Sequence, residues 1–285
     1  MHTVASRAPI GGGIKAGEVV MAAMGTTYSF SRISTFEQCP RRFRYRYLDG
    51  VREGFEGIEA FMGKQVHAVI EWMFTERRLG RTVSIAQAIE RYCDLWDEAM
   101  AGGPLEVRVV REDRSLEQYR RLGAQMLARF HRERYLHDPL QTVASEQHFV
   151  VPVGGKYRFQ GYIDRLARDD DGLLYVIDYK TGARAPRQFA GKEADQLRAY
   201  ALAVFLQWAE PHVELVLEFL RSDTVVRERL DRSAAASIER ALAERIEAVE
   251  RSTVFPPQPG PLCAWCGYND ICDAASTAQR RPAIV

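Results

Sequence analysis

The chain holds no apolar run approaching the roughly 18 residues that a membrane span needs. Its N-terminal region also lacks an apolar stretch of about 7–15 residues followed by a small-residue cleavage site, the mark of a secretory leader. The expectation is a cytoplasmic protein with a flexible N-terminal extension over residues 1–27. Excess charge is missing too: 39 basic and 38 acidic side chains leave a formal net charge of +1. No overall field draws a polyanion, so any such partner must be met by a local arrangement of charge. Cysteine is sparse, with Cys39, Cys93, Cys263, Cys266 and Cys272 making an odd set of five. That count, in a chain expected to be cytoplasmic, argues against a disulfide framework and towards metal ligation. There is no short-period repeat, and no low-complexity tract beyond Gly11-Gly12-Gly13. A phosphate-binding loop is absent as well. The nearest lookalike, Gly57 to Gln65, has the wrong spacing and no Ser or Thr after its lysine, so the chain carries no motor of its own.

What is present is an ordinary globular balance, 46% hydrophobic and 27% charged, in a chain of 285 residues. That length allows one large domain or two modest ones, with a core that stands without staples. Ser34 followed by Glu37 reads as a capping box opening a short helix, and Pro40 opens a further helical turn. Apolar residues at helical spacing (Met62, Val66, Val69, Met73, Phe74) predict a helix over Glu59–Leu79, with more near Ser84–Met100 and Ser115–Tyr135. The pattern then changes to three strands at residues 146–153, 157–168 and 173–179, with turns at Gly154-Gly155 and Asp169–Gly172. A helix over Glu193–Trp208, strands near Val213–Leu220 and Thr224–Leu230, and a helix over Ala234–Arg251 follow. This order predicts an α/β or α+β fold, a small mixed sheet flanked by helices.

The informative segment is G-Y-I-D at 161–164 followed by V-I-D-Y-K-T-G at 176–182. Asp178 and Lys180 lie two apart in an apolar strand and so share a face. Asp164 sits at the other end of a hairpin-like pair, within reach of them. Two carboxylates beside one ammonium suit a hard divalent cation such as Mg²⁺ or Mn²⁺, and the lysine can orient the attacking water or offset charge on a phosphate. The bland alternative for Asp-x-Lys at a strand end is a solvated edge or a simple ion pair. Val176 and Ile177 before it, and Thr181-Gly182 ending the strand sharply, instead place the pair at the mouth of a sheet.

Further candidates each have a structural alternative. His67 offers an imidazole to a metal, though a lone helical His is most often a surface or core residue. Glu146 at the start of the first strand is either a further acidic group near the metal or a surface charge. Gln196 and Tyr200 share a helix face four residues apart, and either contact phosphate oxygens or simply pack. Cys263, Cys266 and Cys272 form C-x2-C-x5-C, which with the remote Cys39 can ligate Zn²⁺ or a [4Fe–4S] cluster. Spacing does not separate those two. Cys93, within a helical stretch, reads as a buried apolar residue. Arg41, Arg42, Arg44 and Arg46 interleave with Phe43, Tyr45 and Tyr47. Such a segment contacts phosphates and stacks unpaired bases, or else is a charged face over an aromatic core stripe.

Taken in order, S-R-I-S-T-F-E-Q-C-P-R-R-F-R-Y, G-K-Q-V-H, G-Y-I-D-R, V-I-D-Y-K-T-G, Q-L-R-A-Y and C-A-W-C-G-Y-N-D-I-C resemble the motifs of RecB-like PD-(D/E)XK nucleases. The resemblance is to the iron–sulfur branch: AddB nuclease domains, exonuclease V and CRISPR-associated RecB-like exonucleases. Each motif is weak singly; six in order, over nearly the whole chain, are specific. The resemblance implies a restriction-endonuclease-like core over residues 28–260, with a helical insertion at about 82–138. It implies a C-terminal segment, 261–285, closing on Cys39 around the cluster. His67, Asp164, Asp178 and the Tyr179 carbonyl would bind the catalytic Mg²⁺ or Mn²⁺. Lys180 would be the catalytic lysine, with Gln196 and Tyr200 near the DNA. The implied activity is exonucleolytic hydrolysis of DNA, on single strands or ends, in repair, recombination or CRISPR adaptation. A separate helicase or CRISPR integration proteins would be its partners. The alternative is a catalytically silent iron–sulfur DNA-binding subunit or scaffold of a helicase–nuclease complex.

Overall fold

The computed structural model describes residues 25–183 and 185–275. The expected N-terminal extension lies outside the described residues up to position 24, as does the tail beyond 275. Strand β1 (Thr27–Ser29) leads into helix α1 (Phe30–Gln38), a short helix α2 (Pro40–Phe43) and a π-helical turn (Arg44–Leu48). Strand β2 (Phe55–Gly57) precedes α3 (Ile58–Arg78) and α4 (Ile85–Gly102); β3 (Glu106–Arg108) precedes α5 (Leu116–Glu133). Strands β4 (Gln141–Val153), β5 (Tyr157–Arg168) and β6 (Leu174–Lys180) form the meander, followed by α6 (Gly191–Gln207). Strands β7 (His212–Phe219) and β8 (Thr224–Asp231) and helix α7 (Ala235–Glu250) complete the order.

Six of the strands build one mixed sheet with the path β1-β5-β6-β7-β8 and β4 on the other edge of β5, and β2 and β3 pair separately. β6 and β7 run parallel; β4–β5, β5–β6 and β7–β8 run antiparallel. On one face lie α1, α6 and α7, burying Phe30, Ile33, Leu197, Phe205, Leu242 and Ile246 against Phe149, Phe159, Val176 and Leu215. On the other lie α3, α4 and α5, burying Val66, Met73, Tyr92, Trp96 and Leu127 against Ile177, Tyr179 and Val216. Strand β6 is therefore apolar on both faces, and its sequence runs hydrophobic instead of alternating. The result is the expected mixed α/β arrangement, a central mixed sheet flanked by helices, consistent with a restriction-endonuclease-like fold.

Local signals explain most boundaries. Ser84 and Ser115 each accept from the backbone N–H three residues on, and Gln87 and Gln118 reach back, giving two full capping boxes. The box expected at Ser34 does not form. The first helix starts five residues earlier, where the Ser29 hydroxyl accepts from the Arg32 N–H. Ser34 instead lies inside that helix, its hydroxyl donating back to the Ser31 carbonyl. Strand β4 begins five residues before the expected start, at Gln141, because its first half is pinned to β5 by pairing and not by apolar alternation. The parallel β2–β3 ladder is three residues long, too short to leave a periodic trace in sequence. The helical segment at about 82–138 is no appendage: α4 and α5 share a continuous core with α3.

Candidate metal centre and active site

The site arises where β5 and β6 part. Their pairing ends at Arg165–Ile177, while β6 continues beside β7 to Lys180. Asp164 and Asp178 come immediately after the last paired rung, where the strands splay; Asp164 lines an open cavity there and Asp178 stays buried. Side-chain direction in β5 slips at the same point. Ile163 enters the core beside α6, yet the Arg165 guanidinium lies 3.6 Å from the Phe74 ring centroid on the opposite face. Strict alternation would put both on one side. Across from the slip, Glu146 has a φ of 46°, a left-handed conformation costly for a residue with a side chain. Strain of this kind persists where the surroundings over-determine it, and here it sits at the carboxylate cluster.

Ligand atoms of His67, Glu146 and Asp164 lie within 4.8 Å of one another. His67 comes from α3, whose close approach to the end of β6 depends on Gly63: a Cβ there would meet Thr181 Oγ1 at 3.0 Å. The His67 Nδ1 to Asp164 Oδ2 distance is 3.3 Å, and the Tyr179 N–H donates to the same oxygen at 2.8 Å. An open cavity of about 560 Å³ lies over these three residues, walled by Glu59, Glu71 and Thr181. Asp178 is set deeper, 3% exposed, on the α6 side of β6. Its Oδ2 faces the Lys180 ammonium at 2.6 Å and has no further hydrogen-bond partner. Lys180 Nζ donates to Gln196 Oε1 at 3.1 Å, and Gln196 Nε2 donates to the Tyr200 hydroxyl at 2.8 Å. The Tyr200 ring packs edge-on against Phe149. One polar chain thus runs Asp178–Lys180–Gln196–Tyr200.

Electrostatics separate these groups. Burial raises Asp178 to about 6, and the nearby Asp164 charge adds to that against the pull of Lys180. Burial alone would raise Asp164 as well, but His67 and the Tyr179 N–H hold it below the usual carboxylate range. Burial works against a charged His67, and Asp164 more than offsets it, so the imidazole is held above its usual value. Lys180 is raised despite burial because Asp178 pairs with it, so it stays an ammonium. Glu146 is pushed up to about 7, by burial first and then by the Asp164 charge. Five neighbouring titratable groups driven apart in this way mark a candidate functional site.

The donor set fits a hard divalent cation: two carboxylates and one imidazole converge beside the open cavity. Glu146, the faintest acidic signal in the sequence, belongs to the converging group; Asp178 instead faces Lys180. Nothing in composition marks Glu146, because what turns it inward is its left-handed backbone, and no Gly or Asn announces that turn.

The arginine segment is differently disposed. Arg41 pairs with Asp273, Arg42 and Arg46 with Glu53, and Arg44 with Asp49. Phe43 is buried and stacks on Phe255, so that aromatic belongs to the core. The cysteine-bearing segment lies against the same region: Gly54 N–H donates to the Gly267 carbonyl, and the Tyr268 hydroxyl to the Val51 carbonyl. Cys39 Sγ accepts from the Gln258 N–H at 3.5 Å and Cys263 Sγ from the Gly260 N–H at 3.4 Å. Burial raises the Cys266 thiol, with Cys39 and Cys263 among the groups it senses. Among the described residues no three cysteine sulfurs lie within 4.8 Å of one another. Cys93 is half-buried against the core beside α3.

A splayed mixed sheet presenting converging carboxylates beside a strand lysine defines a metal-dependent hydrolase of the nuclease type. The chain belongs to the PD-(D/E)XK nuclease superfamily, whose family model matches residues 27–273. That superfamily implies a metal-dependent nuclease. No curated protein matches the chain. Among solved structures it is similar to one described as the crystal structure of SSO0001, with 19% identity, a TM-score of 0.37, and coverage of 87% of this chain and 86% of that one. At that identity and score, no functional conclusion rests on the likeness. Among the described residues no helix is long and apolar enough to cross a membrane.

Proposed function

We propose that the protein is a Mg²⁺- or Mn²⁺-dependent deoxyribonuclease acting as an exonuclease on single-stranded DNA or DNA ends. The observation that carries this reading is the convergence of His67, Glu146 and Asp164 beside the Asp178–Lys180 pair. His67, Glu146 and Asp164 would hold the cation, with Asp178 and the Tyr179 carbonyl as the further ligands the resemblance implies. When bound, the cation polarises the scissile phosphate and lowers the pKa of the attacking water. Lys180 positions that water and offsets the charge that builds on the phosphate. The Lys180 ammonium is aimed from two sides, by Asp178 and by Gln196, and such fixed orientation reduces the reorganisation needed at the moment of reaction. Tyr200 holds Gln196 in turn.

The same proposal places Arg41, Arg42 and Arg44 on the DNA backbone. Their present partners are partly exposed carboxylates, and such surface pairs are worth about 0–1 kcal/mol, so phosphates can displace them. It also assigns Cys39, Cys263, Cys266 and Cys272 to a [4Fe–4S] cluster. Backbone N–H groups directed at the Cys39 and Cys263 sulfurs suit a ligand role for them. A role in repair, recombination or CRISPR adaptation, with a separate helicase or integration proteins as partners, completes the reading. A scaffold would have no need to keep Asp164, Asp178 and Lys180 together.

The test is digestion of end-labelled single- and double-stranded DNA with Mg²⁺, Mn²⁺ or EDTA. Cleavage that needs the metal and favours single strands or ends is the expected result. Binding without cleavage under either metal, by protein with its iron content verified, would overturn the enzyme in favour of the scaffold.

A further inference from the structure

Strand β5 carries a line of side chains of which the metal cluster uses only Asp164. Gly161 and Ile163 face the core beside α6, so Arg158, Gln160, Tyr162 and Asp164 all point from the opposite face. Asp164 lies under α3, while Tyr162, one strand repeat away, emerges from beneath it and is 55% exposed. Two residues of strand amount to roughly 7 Å, so the Tyr162 ring is a neighbour of the metal cluster on an open surface. Directly across the ladder, His148 pairs with Tyr162. The two rings lie 4.7 Å apart at 38°, and His148 too is exposed. At the far end of the line, Arg158 has a buried Nε with no hydrogen-bond partner.

Large exposed rings beside a cluster of carboxylates call for an account. A cross-strand aromatic pair contributes about 0.2–1 kcal/mol to a sheet, and that alone would serve equally well anywhere on the outer surface. The position adds something else. A strand whose phosphate sat at the Asp164–Glu146–His67 cluster could lay an adjoining nucleotide over Tyr162, one strand repeat from Asp164 and exposed. A base held in a duplex presents its edge and not its face, whereas an unpaired base has a free π-face for a ring to cover.

We propose that Tyr162 and His148 form a stacking platform for an unpaired base next to the scissile phosphate, and that this platform sets a preference for single-stranded DNA. The proposal rests on the nuclease reading for its substrate, but its test does not depend on cleavage. Oligonucleotides carrying 2-aminopurine at successive positions are titrated with the full-length protein in EDTA. Wild type is expected to quench the fluorescence at one or two positions. Tyr162→Leu keeps an apolar side chain in the ladder while removing the ring, and it should lose the quench and bind single strands about 5- to 100-fold more weakly. Tyr162→Trp and Tyr162→Phe should retain both, and melting curves identify any variant that has failed to fold. Duplex affinity should be the same in all four proteins. Position-specific quenching by Tyr162→Leu equal to wild type, or equal loss of affinity for duplex and single strand, overturns the platform. A wild type that quenches yet cuts nothing in Mg²⁺ or Mn²⁺ would leave the platform standing and remove the nuclease reading instead.

Discussion

Asp178 and Lys180 fall two apart in an apolar strand, and that spacing alone put them on one face. Their partners were harder to see. Glu146 takes its place through a backbone conformation that glycine or asparagine usually signals, and neither is there. Because Glu146 is raised to about 7 by burial and by Asp164, it holds a proton at lower pH that a cation must displace. Mn²⁺ affinity, read by calorimetry, is therefore expected to rise with pH through about 7, and Glu146→Gln should flatten that dependence while weakening binding. Glu218, half-buried on the face that carries Phe74 and Phe130, gives a stability prediction. Burial raises it from 4.5 to about 7 against the pull of Arg134 and Arg165. Between those values the unfolded chain has released a proton that the folded one keeps, so stability falls as pH rises through this window. The cost above it is on the order of 3 kcal/mol. Glu218→Gln should lessen that fall, visible as a melting temperature that drops less between pH 5 and pH 8 than in wild type.

At the scale of elements, long periodic segments were legible and short or strained ones were not. The helices over Ile58–Arg78 and Leu116–Glu133 follow from apolar spacing and, in the second, a capping box. The helix over Phe30–Gln38 was misplaced because Ser34 and Glu37 imitate a start that Ser29 supplies. The splay of β5 from β6, which opens the site, leaves no compositional trace; it is a matter of which rung pairs last. Gly161 shows how tightly the elements meet behind the site. A Cβ there would come within 2.8 Å of the Phe149 and Tyr200 rings. Gly161→Ala is expected to cost about 1–3 kcal/mol in denaturant unfolding, and to slow cleavage further by shifting Tyr200 and, through Gln196, Lys180. Cleavage unchanged at that cost in stability would show that the Tyr200–Gln196 chain does not position the lysine.

The whole molecule joins sequence ends that are far apart. The Cys263–Cys272 segment rests on residues 39–55 through Gly54–Gly267 and Val51–Tyr268, while Arg41 reaches the Phe255 carbonyl and Asp273. The C-x2-C-x5-C spacing marks a metal or cluster site in the sequence, and the packing of this segment on residues 51–54 leaves no such mark. If a cluster binds there, Cys266→Ser should lower the melting temperature and abolish iron incorporation, with the chemistry affected only through stability. Equal melting temperatures and no iron in anaerobically purified wild type would remove the cluster from the account.

The central claim is that Lys180, aimed by Asp178 and Gln196 at a metal held by His67, Glu146 and Asp164, drives phosphodiester hydrolysis. The most direct test is single-turnover cleavage of end-labelled single-stranded DNA in Mn²⁺ by wild type and Lys180→Met, with Mn²⁺ binding measured on both. The account predicts metal binding retained in the variant and a cleavage rate lowered by at least about 10²-fold. Cleavage by Lys180→Met at the wild-type rate would contradict it.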